Sequence, residues 1–240
     1  ESGCALLGGD TTRTPEIDGR HAPATISITA MGDLPAGMGL TRSGAQPGDD
    51  IWVSGTVGDA YAALMCRWGR WQVMPDAEPR LFARMDRPTP RIALGQALLG
   101  AATACADISD GLLADLDHIL TRSGVSAEIE WERIPLSPVL STLTVARQHE
   151  AALAGGDDYE LIFTAPPAAA ERIFEAGLLS NTPVSRIGRI LEREGCCGAH
   201  GRRPASCGTE HWLRSFQRGR SRITESAWRL LCSRAKIHSP

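Results

Sequence analysis

Apolar positions along the chain fall into short blocks whose period alternates between two and about three and a half. Residues 25–31 (TISITAM) alternate β-branched with small residues and predict a strand, and the breaker-rich stretch 32–39 (GDLPAGMG) predicts a linker. Residues 51–55 (IWVSG) predict a short apolar strand, followed by a helix over 59–68 with Tyr61, Leu64, Met65 and Trp68 on one face. Pro88 and Pro90 separate a short helix near 81–85 from a second over 92–102, and residues 106–109 (ADIS) read as a strand end. The best-defined helix opens at Gly111: Leu112, Leu113, Leu116, Ile119 and Leu120 make one apolar face, and Gly124 supplies the stop. Val125, Ala127, Ile129 and Trp131 then alternate as a half-buried strand. A helix over 143–154 closed by Gly155, a strand over 160–164, a helix over 168–176 and a strand over 184–190 complete the pattern. Strands mixed with helices in this order predict an α+β fold. Trp68, Trp71 and Trp131 are expected in the core, and His118 and His149 in structural positions within helices.

Beyond Gly195 the periodicity fails. Four of the seven cysteines and two of the six tryptophans lie there, with dense arginine. The charge divides at the same place: residues 1–194 carry 16 basic and 26 acidic side chains, residues 195–240 carry 9 and 2. A basic arm for nucleic acid, an exposed tail and translation out of an ancestral frame all fit this stretch, and nothing else in the chain supports nucleic acid as a partner. Three regions are expected: 1–33, the last part of a preceding domain; 40–194, an α+β domain; and 195–240, an atypical basic tail without fixed structure.

Composition narrows the chemistry. At 240 residues, 42% hydrophobic and 22% charged, with a mean hydropathy of −0.14, the chain has the make-up of a globular protein of one large or two small domains. No apolar run approaches the ~20 residues that cross a bilayer, and no basic-then-apolar leader opens the chain, so the cytoplasm is the expected compartment. Seven cysteines with no CxxC spacing argue against a disulfide framework or a zinc ribbon. Of 25 basic residues 24 are arginine, leaving Lys236 as the one lysine. A Walker loop, a kinase-type phosphate lysine and a Schiff-base enzyme are excluded together.

Three acidic loops stand at element ends. In Gly8-Gly9-Asp10-Thr11-Thr12-Arg13, two glycines permit close approach of the backbone to a ligand and Asp10 projects a carboxylate fit for Mg²⁺, although, taken alone, the motif fits better a turn in which Asp10 satisfies its own backbone. In Asp107-Ile108-Ser109-Asp110-Gly111-Leu112, Ser109 or Asp110 reads as a helix cap, with Asp115 and Asp117 adding charge in the early turns. Capping leaves Asp107 unexplained. A metal bridging these acids to phosphate would explain it. In Gly155-Gly156-Asp157-Asp158-Tyr159-Glu160, three acids crowd four positions where packing asks for none; a solvated turn fits them, as does a repeat of the Gly-Gly-Asp arrangement of the first loop. Convergence of the three loops would make a metal and polyphosphate pocket; Arg42, in the Gly/Pro-punctuated loop 41–49, could fork onto a nucleotide phosphate, an ordinary surface arginine being the other reading.

GGDTTR, LTRSGAQPGD, RPTPRI, DISDGLLADL and GGDDYELIF, in this order over about residues 5–192, resemble the carboxyl-terminal portion of bacterial thiamine-monophosphate kinase, in the aminoimidazole ribonucleotide synthetase-like superfamily. The resemblance implies a synthetase-like C-terminal domain and phosphoryl transfer from ATP to thiamine monophosphate, giving thiamine diphosphate and ADP. It implies Asp10, Asp107 and Asp110 as Mg²⁺ ligands, Gly9, Asp10, Arg42 and Ser109 at ATP, and Asp157, often Glu in the family, at the substrate. It also implies a homodimer for the full-length protein. The family's amino-terminal half is matched only by residues 1–33, residues 15–23 lengthen a turn, and the family's closing aromatic segment has no counterpart after Gly195. The expectation is therefore a truncated chain that transfers phosphate poorly alone. The other class of function that fits is a nucleotide-binding or regulatory domain without catalysis.

Overall fold

Strand β3 (Asp50–Ser54) is buried along its whole length, because side chains of alternating parity find an apolar layer on each side of it. In the computed structural model, which describes residues 3–193 and 235–238, Ile51 and Val53 enter one core cluster and Trp52 enters another. The strands flanking β3 are β6 (Glu160–Ala165) and β7 (Val184–Leu191). Beyond them lie β4 (Ala104–Ile108), β5 (Ser126–Glu130) and β8 (Ala235–His238), in the order β4-β6-β3-β7-β5-β8. All neighbours are antiparallel except β5 and β8, which run parallel.

Helices cover the two faces. On the first, Leu112, Leu116 and Ile119 of α4 (Leu112–Ser123) pack with Ile108, Ile162 and residues of α1 (Asp59–Arg67) and α2 (Glu78–Asp86). On the second, Leu94 of α3 (Ile92–Ala97) and Ile173 of α6 (Ala170–Leu179) pack with Phe163 and Trp52. Each such fully buried aliphatic side chain contributes about 1.5–3 kcal/mol. The α+β expectation is borne out, and strand and helix positions from residue 50 onward follow the sequence reading closely.

The differences have local causes. The helix expected over 92–102 ends at Ala97, and Gly100 turns the chain with a φ of 71°. The helix over 143–154 is α5 (Val145–His149) continued by a π-helical turn, Glu150–Ala154. Trp68 is 56% exposed, with the Arg70 guanidinium over its ring, whereas Trp71 is buried edge-on to Tyr61 and Trp131 is half-buried edge-on to His149.

The chain divides into two units, Glu1–Gly39 and Leu40–Pro240. In the first, β1 (Glu16–Ile17) and β2 (Arg20–His21) form a short hairpin across Asp18 and Gly19, whose φ values of 52° and 71° are those a two-residue Asp-Gly hairpin turn requires. Residues 25–31, expected as the last strand of a preceding domain, form no regular element. Alternation produces a strand only where a neighbour supplies the hydrogen-bond ladder and an apolar layer, and Ile26 and Ile28 are 85% and 87% exposed. Apart from β8, the tail from residue 195, with the readings placed on it, lies outside the described residues. Among the described residues no helix is long and apolar enough to cross a membrane.

Candidate functional site

The register pairs Ile108, the last residue of β4, with Glu160, the first of β6. Pairing continues into the loops beyond: the Tyr159 N–H donates to the Ile108 carbonyl at 2.8 Å, and the Asp157 N–H to the Ser109 carbonyl at 2.9 Å. The second and third acidic loops are thus one hydrogen-bonded assembly. Gly156 is required by this approach, since a Cβ there would land on the Ser109 carbonyl oxygen.

Within the third loop the acids divide by direction. Asp157 and Tyr159 have φ values of 68° and 51° and are exposed, while Asp158 between them is buried. Its carboxylate accepts the Gly58 N–H at 2.6 Å and the Ala60 N–H at 3.4 Å, closing the N-terminus of α1. Burial pushes this carboxyl up to about 7, the charge of Asp59 acting the same way and the two N–H bonds and Arg84 acting against them. Left-handed backbone at a non-glycine residue costs about 1–3 kcal/mol, which the bonds of Asp158 and the pairing to β4 must sustain.

Glu160 is fully buried and carries two arginines. Arg84 donates to Oε1 at 2.8 Å; Arg91 reaches both oxygens, at 2.7 Å from Nε and 2.6 Å from Nη2. Ser54 Oγ donates to Oε2 at 2.5 Å and accepts the Leu161 N–H at 2.8 Å. The closing arginine of RPTPRI therefore ties the segment before α3 to the start of β6.

At the entrance of α4 the expected cap is replaced. Gly111 occupies the cap position, with no side-chain bond from Ser109 or Asp110. Instead Asp115, 1% exposed, accepts the N–H groups of both residues on Oδ2, each at 3.0 Å. Asp107, Asp110 and Asp157 remain exposed near the Tyr159 hydroxyl, which donates to Asp157 Oδ1 at 3.4 Å. The Tyr159 phenol is pushed up chiefly by the Asp157 charge, then by burial and that hydrogen bond, with Asp107 and Asp110 adding. Arg42 Nη2 lies 3.9 Å from Asp107 Oδ1, both side chains being about half exposed. Its segment is held beside β4 by the Cys105 N–H, which donates to the Thr41 carbonyl, and beside α4 by Ser123 Oγ, which accepts the Gly44 and Ala45 N–H groups.

Arg42, Asp107, Ser109, Asp110 and Asp157 are thus gathered on the second unit. Gly9 and Asp10 belong to the first, where Asp10 is exposed and accepts the Thr11 N–H at 2.8 Å, and a Cβ at Gly9 would meet nothing within 4 Å. Among the described residues no three His, Cys, Asp or Glu side chains are arranged to hold a metal ion by themselves. Sequence reasoning missed Asp115, Asp158, Glu160, Arg84 and Arg91 as the supports of the site. A usable signal was Glu160 itself, an acid opening a strand whose other residues are apolar except Thr164, which demands a buried cation.

Residues 46–196 match the family of AIR synthase related proteins, C-terminal domain. The chain belongs to this family. A thiamine-monophosphate kinase of Caulobacter vibrioides is 36% identical over 214 residues, 87% of this chain and 58% of that protein. The crystal structure of thiamine-monophosphate kinase from Stenotrophomonas maltophilia superposes with a TM-score of 0.63 at 42% identity, covering 68% of this chain and 53% of that one. The structure of AaThiL complexed with AMPPCP and TMP superposes with a TM-score of 0.55 at 38% identity, covering 65% and 49%. The likeness to the carboxyl-terminal portion of thiamine-monophosphate kinase read from five motifs is borne out. The chain spans a little over half the length of such relatives.

Proposed function

We propose that this AIR synthase related chain serves ATP-dependent phosphorylation of thiamine monophosphate to thiamine diphosphate. The observation that carries the reading is the joining of the DISDG and GGDDYE turns by the Asp157–Ser109 backbone bond, with Asp107, Asp110 and Asp157 all exposed and Arg42 beside Asp107. Similarity to thiamine-monophosphate kinases, including one complexed with AMPPCP and TMP, supports the choice of substrates.

In this reading Asp107 and Asp110 supply carboxylate oxygens to Mg²⁺, Arg42 and Ser109 contact ATP, and Asp157 contacts thiamine monophosphate. For Gly9 a nucleotide contact, and for Asp10 a nucleotide and a metal contact, are supported by the likeness to thiamine-monophosphate kinases alone. The donor set suits the ion, because Mg²⁺ keeps several waters and takes one or two carboxylates together with phosphate oxygens, so a closed protein cage is not required. When bound, the ion neutralises the two approaching phosphate groups. Arg42 donates hydrogen bonds to phosphate oxygen. With no lysine among residues 1–235, positioning and electrostatics carry the transfer rather than a covalent step. The full-length protein would act as a homodimer.

Incubation with Mg²⁺, ATP and thiamine monophosphate is expected to yield thiamine diphosphate and ADP, with the yield falling about 100-fold in Asp107→Asn. Product formation insensitive to substitution of Asp107, Asp110 and Asp157 would overturn the assignment. Mg²⁺-dependent ATP binding without turnover would instead assign the chain to nucleotide binding alone.

A further inference from the structure

We infer that Asp115 is a positioning residue for the phosphate and metal site, holding the Ser109 and Asp110 peptide groups in the one arrangement that presents Asp107, Ser109 and Asp110 together. The inference rests on the function proposed above. Asp115 sits in the first turn of α4 and is buried, as are Leu112, Leu113 and Leu116 of the same helix. A single oxygen, Oδ2, accepts both N–H groups at 3.0 Å, so two consecutive peptide planes are fixed by one atom.

An acid near a helix N-terminus ordinarily stabilises that helix by facing its free N–H groups. Asp115 spends its oxygen on the preceding turn instead. Asp115 is 1% exposed, and the two N–H groups supply the hydrogen bonds that its burial requires. What the carboxylate secures is the shape of the turn, which Gly111, with a φ of 116° and no side chain, cannot secure itself.

The conservative variant separates shape from charge. Asp115→Asn keeps a carbonyl oxygen able to accept both N–H groups, so the full chain should bind AMPPCP with Mg²⁺ within about threefold of the parent, whereas Asp115→Ala should bind about tenfold or more weakly. Without any ligand, hydrogen exchange at the Ser109 and Asp110 amides should accelerate in Asp115→Ala and not in Asp115→Asn. In an Asp110→Asn background the loss caused by Asp115→Ala should shrink, because the two residues act on one contact. Should Asp115→Ala fail to fold, Asp115→Ser, with a shorter acceptor, should show the same ordering of exchange and affinity.

Unchanged affinity despite faster exchange, or an equal loss in both backgrounds, would overturn the inference. A parent chain that binds AMPPCP and is weakened by Asp107→Asn but not by Asp115→Ala defeats this inference alone. A parent chain that binds no AMPPCP with Mg²⁺ defeats the proposed function and this inference with it.

Discussion

Asp157 and Ser109 are joined through their backbones, the Asp157 N–H donating to the Ser109 carbonyl at 2.9 Å. The bond links a residue whose side chain is exposed in a left-handed turn to one whose own N–H is gripped from below by Asp115. Two loops nearly fifty positions apart in sequence are therefore joined backbone to backbone, so a disturbance in either is expected to displace acids in both.

Gly156 tests this coupling. Gly156→Ala places a methyl group on the Ser109 carbonyl oxygen, and neither partner is a flexible side chain. The expected cost is about 1–3 kcal/mol in urea unfolding, the usual range for forced overpacking, together with weaker Mg²⁺-dependent nucleotide binding. Gly8→Ala, where the added carbon meets nothing within 4 Å, should change stability by less than about 0.5 kcal/mol.

Removing the Glu160 carboxylate should be far more costly. Arg84 and Arg91 converge on it, with side chains 23% and 15% exposed against 1% for Glu160 itself. Glu160→Ala leaves two partly buried guanidinium groups without their acceptor and should cost about 3–5 kcal/mol in urea unfolding. Arg91→Lys loses the two-pronged grip and should fall between the parent and Glu160→Ala. Equal stabilities in all three proteins would show that the tie contributes nothing.

Much of this architecture is legible in the chain itself. The apolar spacing from Leu112 to Leu120 and the stop at Gly124 define α4, whose final glycine has a φ of 71°. The five motifs mark the correct loops. What a linear reading lacks is direction: Asp157 and Asp158 are identical neighbours, yet one is exposed and one is buried. The choice is made by left-handed backbone at Asp157 and Tyr159, which depends on pairing with Ser109 and Ile108 across the sheet end. Asp115 looks like an ordinary first-turn acid for the same reason, since its partners precede the helix. Residues 25–31 show the converse, a strand pattern that forms no ladder among the described residues.

Asp158 predicts a pH dependence with a definite sign. Its carboxyl is raised from 3.8 to about 7 on folding, by burial above all. Between these values the folded chain holds a proton that the unfolded chain has released, so the contribution of Asp158 to stability is full below pH 3.8 and is lost as pH rises towards 7. Asp158→Asn cannot ionise. The stability difference between parent and variant, from urea unfolding at several pH values, should therefore shift against the parent as pH rises through this window. A difference that is flat across it would contradict the raised carboxyl.

Arg42 separates binding from stability. Its ion pair with Asp107 is long, at 3.9 Å, and both side chains are about half exposed. Solvent-screened pairs of this kind contribute at most about 1 kcal/mol, so Arg42→Ala should unfold in urea close to the parent. A guanidinium that binds phosphate is another matter, because a hydrogen bond between charged groups is worth about 1.5–3 kcal/mol. Nucleotide affinity should accordingly fall about tenfold or more while the midpoint of unfolding barely moves, and the Asp107 carboxylate, freed of its neighbour, should keep its Mg²⁺ dependence. Arg42→Lys should recover only part of the loss, since an ammonium group cannot fork onto two oxygens. If Arg42→Ala binds AMPPCP as tightly as the parent, this arginine is a surface cation beside the site and the nucleotide phosphates are held elsewhere.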